Sequence, residues 1–309
     1  LGDAVAGDLS AVVSWAMGGR HFEMSTSTAV GDMRLGDHRC LGFHSDDDQR
    51  EVLSAFIRDG LTGGQKVVYV ADEDSSGRVR AWLNDRSLSP DTFLATGQLV
   101  FSTAEQTYYP GGRFDSDLTI EMLLKSADSA VAGGYRGIRL ASEMAWALRG
   151  VPGTERVLEF EAGLQRLVDT RAATVLCQYD LRRFTLEELV DIEHVHHGLV
   201  GPDPVYHDGL LRITRTLEPP GLAFAGDIDA SNADQVAWSV STALARGGDV
   251  RLDLSRLEFC DIGGLRAIVA AAAALDGGRR LVLHGTPPHL LQVMRVVGWD
   301  EITGLVMST

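Results

Sequence analysis

Asp253-Leu254-Ser255-Arg256-Leu257-Glu258-Phe259-Cys260-Asp261-Ile262-Gly263-Gly264-Leu265 reads as the end of a buried strand, a turn, and the start of a helix. The stretch from Val250 to Leu254 has strand length, and the residues from Gly263 to Leu275 have helix length with no proline to break them. Working outward, a hairpin-like pair (Leu211 to Leu217 and Leu222 to Phe224, joined through Pro219-Pro220-Gly221) and a helix (Ser231 to Arg246) come before it. A strand (Arg280 to Leu283), a helix (Pro288 to Val297) and an edge strand (Ile302 to Met307) come after it. Strands and helices alternating in this way make an α/β domain over residues 210–309.

Upstream, Gly201-Pro202-Asp203-Pro204 reads as a break between domains, with residues 201–209 as linker. Residues 34–200 alternate strand and helix. The expected strands are Arg39–Phe43, Lys66–Asp72, Leu99–Phe101, Gly137–Ala141 and Ala173–Tyr179. The expected helices are Asp46–Leu61, Ser76–Leu83, Asp117–Ala132, Thr154–Val168 and Thr185–His194. Strands separated by helices of this length form a parallel sheet covered on both faces. Residues 1–33 read as a weakly structured tail.

The 309 residues suffice for two domains that fold without metal or disulfide support. With 28 basic and 43 acidic residues the formal charge is −15 and no basic stripe stands out, which disfavours nucleic-acid binding. No apolar run reaches the ~20 residues of a membrane span. Cys40, Cys177 and Cys260 are far apart in sequence and fit a reducing, cytoplasmic setting better than a disulfide framework.

The C-terminal pieces resemble a STAS domain, the fold of bacterial anti-sigma factor antagonists. Gly226-Asp227-Ile228-Asp229, Val250-Arg251-Leu252-Asp253-Leu254-Ser255, Phe259-Cys260-Asp261-Ile262-Gly263-Gly264-Leu265 and Leu281-Val282-Leu283-His284-Gly285 carry the resemblance, in order. In that family the turn reads Asp-Ser-Ser-Gly, and its second serine is phosphorylated by a partner kinase that is itself the anti-sigma factor. A phosphate adds about −1.5 to −2 charges at a helix N-terminus, which a docked partner cannot accommodate. Here Ile262 and Gly263 hold the serine positions, so no phosphorylation is expected at the usual place. The resemblance implies a partner, an ATPase-fold anti-sigma factor or related serine kinase, docking on Asp227, Asp229, Asp261, Ile262, Gly263 and Gly264.

Residues 34–200 resemble a MEDS domain, a sensory module related to RecA-like ATPases, through four segments. These are Gly36-Asp37-His38-Arg39-Cys40-Leu41-Gly42-Phe43, Val67-Val68-Tyr69-Val70-Ala71-Asp72, Glu143-Met144-Ala145-Trp146-Ala147-Leu148-Arg149-Gly150 and Leu176-Cys177-Gln178-Tyr179-Asp180-Leu181-Arg182-Arg183-Phe184. An ATPase of that lineage needs a glycine-rich loop ending in Lys-Ser/Thr after its first strand. His44-Ser45-Asp46-Asp47-Asp48-Gln49 stands there instead; three successive acids repel a triphosphate, and no lysine is present to hold one. The expectation is therefore a RecA-like parallel sheet without a P-loop, followed by a smaller STAS domain.

Open parallel sheets bind ligands at the carboxyl ends of their strands. His38, Cys40, Phe43, Asp72, Glu143, Trp146, Gln178 and Tyr179 are the candidates for a small-molecule pocket there. His38 and Cys40 alternate by two and so share a strand face, but two such ligands make a weak case for a metal, and none is expected. His194, His196 and His197 read as solvated histidines near a helix C-terminus. No cofactor is expected. The leading reading is a non-enzymatic cytoplasmic signalling regulator with a sensing domain and a partner-docking domain; a homodimer is compatible with it. The alternative is a small-molecule-processing enzyme using His38, Cys40 and Glu143, which needs a Cys–His contact.

Overall fold

The computed structural model describes residues 28–308 apart from 73–74, 186–187, 189–191, 193–194, 197, 218 and 276–277. The helix expected over Thr185–His194 falls largely outside the described residues, as do residues 1–27.

Five parallel strands form the N-terminal sheet: β2 (His38–Phe43), β3 (Lys66–Ala71), β4 (Leu99–Thr103), β5 (Ile138–Glu143) and β6 (Ala173–Asp180), in the order β2-β6-β5-β3-β4. Their apolar residues alternate between two cores. One face packs Leu41, Phe43, Tyr69 and Leu176 against helix α1 (Asp46–Thr62). The other packs Cys40, Leu140, Val175 and Cys177 with Trp146 and with helices α5 (Ser116–Ala132) and α6 (Val157–Thr170). The segment Ser45-Asp46-Asp47-Asp48 starts α1 through a capping box: Asp48 N–H donates to Ser45 Oγ at 3.2 Å, and the Asp48 carboxylate accepts from Ser45 N–H at 3.1 Å. Between these elements lie α2 (Ser76–Asp85) and two short helices that the sequence reading lacks, α3 (Pro90–Thr96) and α4 (Ala104–Tyr108).

The presumed tail and linker are partly built into this fold. Strand β1 (Thr28–Ala29) pairs in parallel with β7 (Val200–Gly201), and Val30 and Met33 are buried in the core beside α1. The Asp203 carboxylate accepts from Gly31 N–H at 2.7 Å. Residues 28–33 and 201–209 thus depart from the expected tail and linker, since β8 (Tyr206–His207) also pairs with the next domain's first hairpin.

The C-terminal sheet runs β13-β12-β11-β10-β9-β8. Strand β9 (Leu211–Leu217) is antiparallel to β10 (Pro220–Ile228), which is parallel to β11 (Val250–Cys260). Beyond it β12 (Leu281–His284) and β13 (Leu305–Ser308) continue in parallel. Helices α7 (Ala233–Leu244), α8 (Ile262–Ala273) and α9 (Pro288–Val297) complete the domain. Strand β11 outruns the expected end at Leu254. Its buried positions are Val250, Leu252 and Leu254, then Leu257 and Cys260, so the period changes from two to three. Register shifts at Ala223/Ala225 and Gly226/Asp227 of β10 take up those extra residues.

Candidate functional site

Two places merit the term, one at the carboxyl ends of the N-terminal strands and one at the carboxyl ends of β10 and β11.

At the first, a cleft of about 330 Å³ is lined by Phe43, Asp46, Asp72, Ser75, Arg78, Glu143, Ala145, Gln178, Asp180, Arg182 and Arg183. Four of the expected residues meet there: Phe43, Asp72, Glu143 and Gln178. Glu143 is its organised centre. Its carboxylate accepts from Tyr69 Oη at 2.6 Å, Gln49 Nε2 at 2.7 Å, the Asp72 amide at 2.8 Å and Ser75 Oγ at 3.1 Å. Burial, reinforced by the neighbouring Glu143 charge, raises the Tyr69 phenol well above its ordinary value, so Tyr69 acts as a fixed donor. Asp72 is held between Arg149 and Arg183, each 2.9 Å from a carboxylate oxygen. Burial still pushes its carboxyl up against the pull of both arginines.

Every arginine of this cleft faces an acid: Arg78 lies 3.3 Å from Asp46, Arg182 lies 2.7 Å from Asp180, and Arg183 pairs with Asp72. A P-loop would present free amides to a phosphate here. Instead the Asp48 carboxylate takes the His44 and Ser45 amides, each at 3.1 Å. The cleft suits a small polar molecule that exchanges hydrogen bonds with paired charges; its described residues form no cradle for a triphosphate.

The other four expected residues are elsewhere. Trp146 is fully buried, stacked on Tyr108 at a centroid distance of 5.0 Å and edge-on to Phe114 at 5.0 Å. His38 begins its strand rather than ending it, and with Cys40 and Tyr179 it faces the opposite side of the sheet from Glu143. His38, Cys40 and Glu143 therefore do not converge. Among the described residues a Cys–His contact forms between Cys177 Sγ and His38 Nε2, at 3.5 Å. Around it lies a cluster that the sequence reading did not assemble, of His38, Glu161, Cys177 and His196, all buried. His196 is not solvated as expected, because it packs under Tyr179 and beside His38. His194 and His197 lie outside the described residues.

The three thiols are all buried. Burial and the Asp261 charge push Cys260 up to about 12, and burial with the Glu161 charge raises Cys177 well above its usual value. In the native protein near neutral pH, alkylation of all three is expected to be slow and to become complete only on denaturation. Rapid stoichiometric labelling of native Cys40 would contradict this placement.

At the second place, Asp227 and Phe259 are register partners, as are Ile228 and Cys260, so two strand ends meet the start of α8. Asp261 caps that helix, its side chain accepting from Gly264 N–H at 2.7 Å. Asp229 is held one turn away, its carboxylate accepting from the Ser231 amide at 2.8 Å. Phe259 and Ile262 are 49% and 50% exposed, which makes an apolar pair framed by acids. Of the six expected residues, Asp227 lies at the end of β10 and Asp229 just past it, and Asp261, Ile262, Gly263 and Gly264 form the cap and first turn of α8. Phe259 was not among them, although its apolar type between Glu258 and Cys260 was a signal.

Residues 37–197 match the family model "MEDS: MEthanogen/methylotroph, DcmR Sensory domain", and residues 211–307 match the STAS domain model of the Mlab type. No curated protein matches. Among solved structures, the flagellar accessory protein FlaH of Methanocaldococcus jannaschii aligns at 13% identity and TM-score 0.41, over 59% of this chain and 78% of its own. A KaiC-like protein of Pyrococcus horikoshii aligns at 12% and 0.42, over 66% and 87%. An anti-sigma factor antagonist of Mycobacterium paratuberculosis aligns at 20% and 0.26, over 33% and 81%. The fold is α/β, a five-stranded parallel-sheet domain followed by a STAS domain. The MEDS match spans more than half of the sequence, and on that ground the chain belongs to the MEDS family, with a STAS domain fused behind the sensory one.

Proposed function

We propose that this protein is a non-catalytic signalling regulator of the bacterial cytoplasm. In this reading its STAS domain docks an ATPase-fold anti-sigma factor or related serine kinase, and its MEDS domain supplies the input by binding a small polar ligand. The observation that carries the reading is the exposed Phe259–Ile262 pair beside Asp227 and Asp261, at the position where related domains carry their serine. Apolar anchors with an acidic rim are what a partner surface needs. Neither Ile262 nor Gly263 offers a hydroxyl, so docking here is not reversed by a phosphate at the helix start. Control then passes to the upstream domain, whose strand-end cleft offers a polar site in place of a nucleotide cradle.

The test is calorimetric titration of purified ATPase-fold anti-sigma kinases from the source genome into the full chain. A complex is expected, together with no phosphate incorporation from ATP. Phe259→Asp and Ile262→Asp should each weaken it by roughly tenfold or more, the cost of removing an interface anchor. If no such kinase binds, or if both variants bind as well as the parent, the proposal is wrong.

A further inference from the structure

The buried cluster opposite the strand-end cleft has the geometry of a metal site. Three donor atoms surround Glu161 Oε2: Cys177 Sγ at 3.2 Å, His38 Nε2 at 3.3 Å and His196 Nε2 at 3.3 Å. Cys177 Sγ lies 3.5 Å from His38 Nε2, and all four atoms fall within 4.8 Å of one another. A zinc ion bound tetrahedrally by nitrogen, oxygen and sulfur at their usual bond lengths sets ligand–ligand edges of about 3.4–3.6 Å. Four of the six edges, at 3.2, 3.3, 3.3 and 3.5 Å, lie within about 0.3 Å of that length, and the other two do not exceed 4.8 Å, so closing the site asks for side-chain adjustments.

His196 supplies the independent observation. Its Nδ1 lies 2.7 Å from the Ile192 carbonyl, an acceptor, so Nδ1 carries the proton. In the neutral ring Nε2 then holds a lone pair, and that atom, fully buried, stands 3.3 Å from Glu161 Oε2 without the angles of a good hydrogen bond. Its lone pair is aimed at a carboxylate oxygen. That arrangement is repulsive unless a proton or a metal cation lies between them. A carbonyl fixing one ring nitrogen while the other faces inward is the usual support of a metal-bound histidine. Glu161 is supported likewise, its second oxygen accepting from Tyr179 Oη at 2.5 Å.

We propose that His38, Glu161, Cys177 and His196 form a closed tetrahedral site for a divalent d-block cation of the zinc type. The donor set, one thiolate, one carboxylate and two imidazoles, carries two negative charges and neutralises a divalent ion within the core. Without the ion, Cys177 keeps its proton and His196 carries one more; binding releases both, so the buried charge is zero in either state. The four ligands come from β2, α6, β6 and the segment after Ile192 that leads to β7. Occupancy thus pins His196 against the sheet, two residues before Gly198, whose carbonyl already accepts from the Cys40 amide. The site is independent of the docking role proposed above.

The experiment uses the full chain, stripped with a chelator and titrated with Co²⁺ as a spectroscopic probe, then with Zn²⁺ in competition. One equivalent should bind, with tetrahedral ligand-field bands and a thiolate-to-cobalt charge-transfer band, and Zn²⁺ should displace it. Cys177→Ser should lose the charge-transfer band, whereas Cys40→Ser and Cys260→Ser keep it. His196→Gln should weaken binding by at least the roughly 10–100-fold that losing a mere supporting residue costs. Should Cys177→Ser fail to fold, retention of the band in the other two cysteine variants assigns the sulfur by elimination. A stripped protein that still unfolds cooperatively yet takes up no Co²⁺ overturns the proposal, leaving a metal-free Glu161–His196 ion pair. A cobalt spectrum without thiolate character overturns it equally.

Discussion

In the metal-free protein, Glu161→Ala is expected to cost about 3–5 kcal/mol, the range for removing one partner of a buried ion pair. The carboxylate is buried on α6 and collects the Tyr179 hydroxyl, the Cys177 thiol and both histidine rings. Alanine leaves those buried donors unpaired, and the penalty for unpaired buried groups exceeds the net worth of the bonds. At 2–4 °C per kcal/mol for a domain of this size, the melting transition should fall by on the order of 10 °C. Calorimetry with chelator present reads this. A shift within a degree or two would mean that Glu161 is not the electrostatic centre of the cluster.

The pH dependence has a definite sign. Burial alone would raise the Glu161 carboxyl, but the His196 and His38 rings outweigh it and hold the group well below the usual carboxylate range. Its contribution is therefore present above the unfolded glutamate value of about 4.3 and is lost as the pH falls further. Burial alone would lower His196, but the Glu161 carboxylate outweighs it and the ring is raised. Its contribution is full below the unfolded histidine value of about 6.5 and is lost as the pH rises through the folded value. The gap between parent and Glu161→Ala should thus be widest between those two unfolded values, narrowing on either side in a denaturant series with chelator present.

This cluster also shows what the sequence could disclose. Strands and long helices were legible because a strand covered on both faces is a continuous apolar run, as in Lys66–Ala71, and a long helix keeps one apolar period, as in Ser116–Ala132. The helices Pro90–Thr96 and Ala104–Tyr108 were not, since one or two turns are too short to establish a period. Glu161 did leave a signal. With Val157, Leu164 and Val168 it completes an i, i+4, i+7, i+11 stripe, which puts an acid on the buried face of an amphipathic helix. An acid there needs partners, and His38, Cys177 and His196 supply them from distant parts of the chain. Gln49, on the buried stripe of α1, tells the same story for Glu143. The strand-end cleft was half legible because the carboxyl-end rule places residues along a strand but does not choose its face. Phe43, Asp72, Glu143 and Gln178 obeyed it; Cys40 and Tyr179 turned to the other core.

The adjoining glycines of the α8 turn should behave oppositely. A Cβ on Gly264 would sit 2.1 Å from Ile228 Cγ2 and 3.3 Å from Cys260 Sγ. Ile228 is fully buried at the end of β10 and cannot give way without moving the strand that carries Asp227. Alanine would otherwise gain up to about 1 kcal/mol of helix propensity. An overlap of this size forces backbone shifts of the kind that cost about 1–3 kcal/mol, occasionally more, so Gly264→Ala should destabilise the STAS domain. At Gly263 the nearest atom to a Cβ is Asp261 Oδ1 at 3.2 Å, the end of a side chain that can adjust, and the neighbouring space is otherwise open. Gly263→Ser should therefore stay within about 0.5 kcal/mol of the parent. Paired denaturation curves decide it, and equal losses in the two variants would refute the distinction. The contrast bears on function. Gly264 is demanded by packing, whereas nothing in the fold forbids a serine at 263, so packing does not account for a glycine there. If Gly263→Ser is then phosphorylated by a kinase shown to bind, the switch geometry persists and only its acceptor is gone. If the kinase binds and no phosphate is transferred, the turn no longer presents that position to a catalytic site.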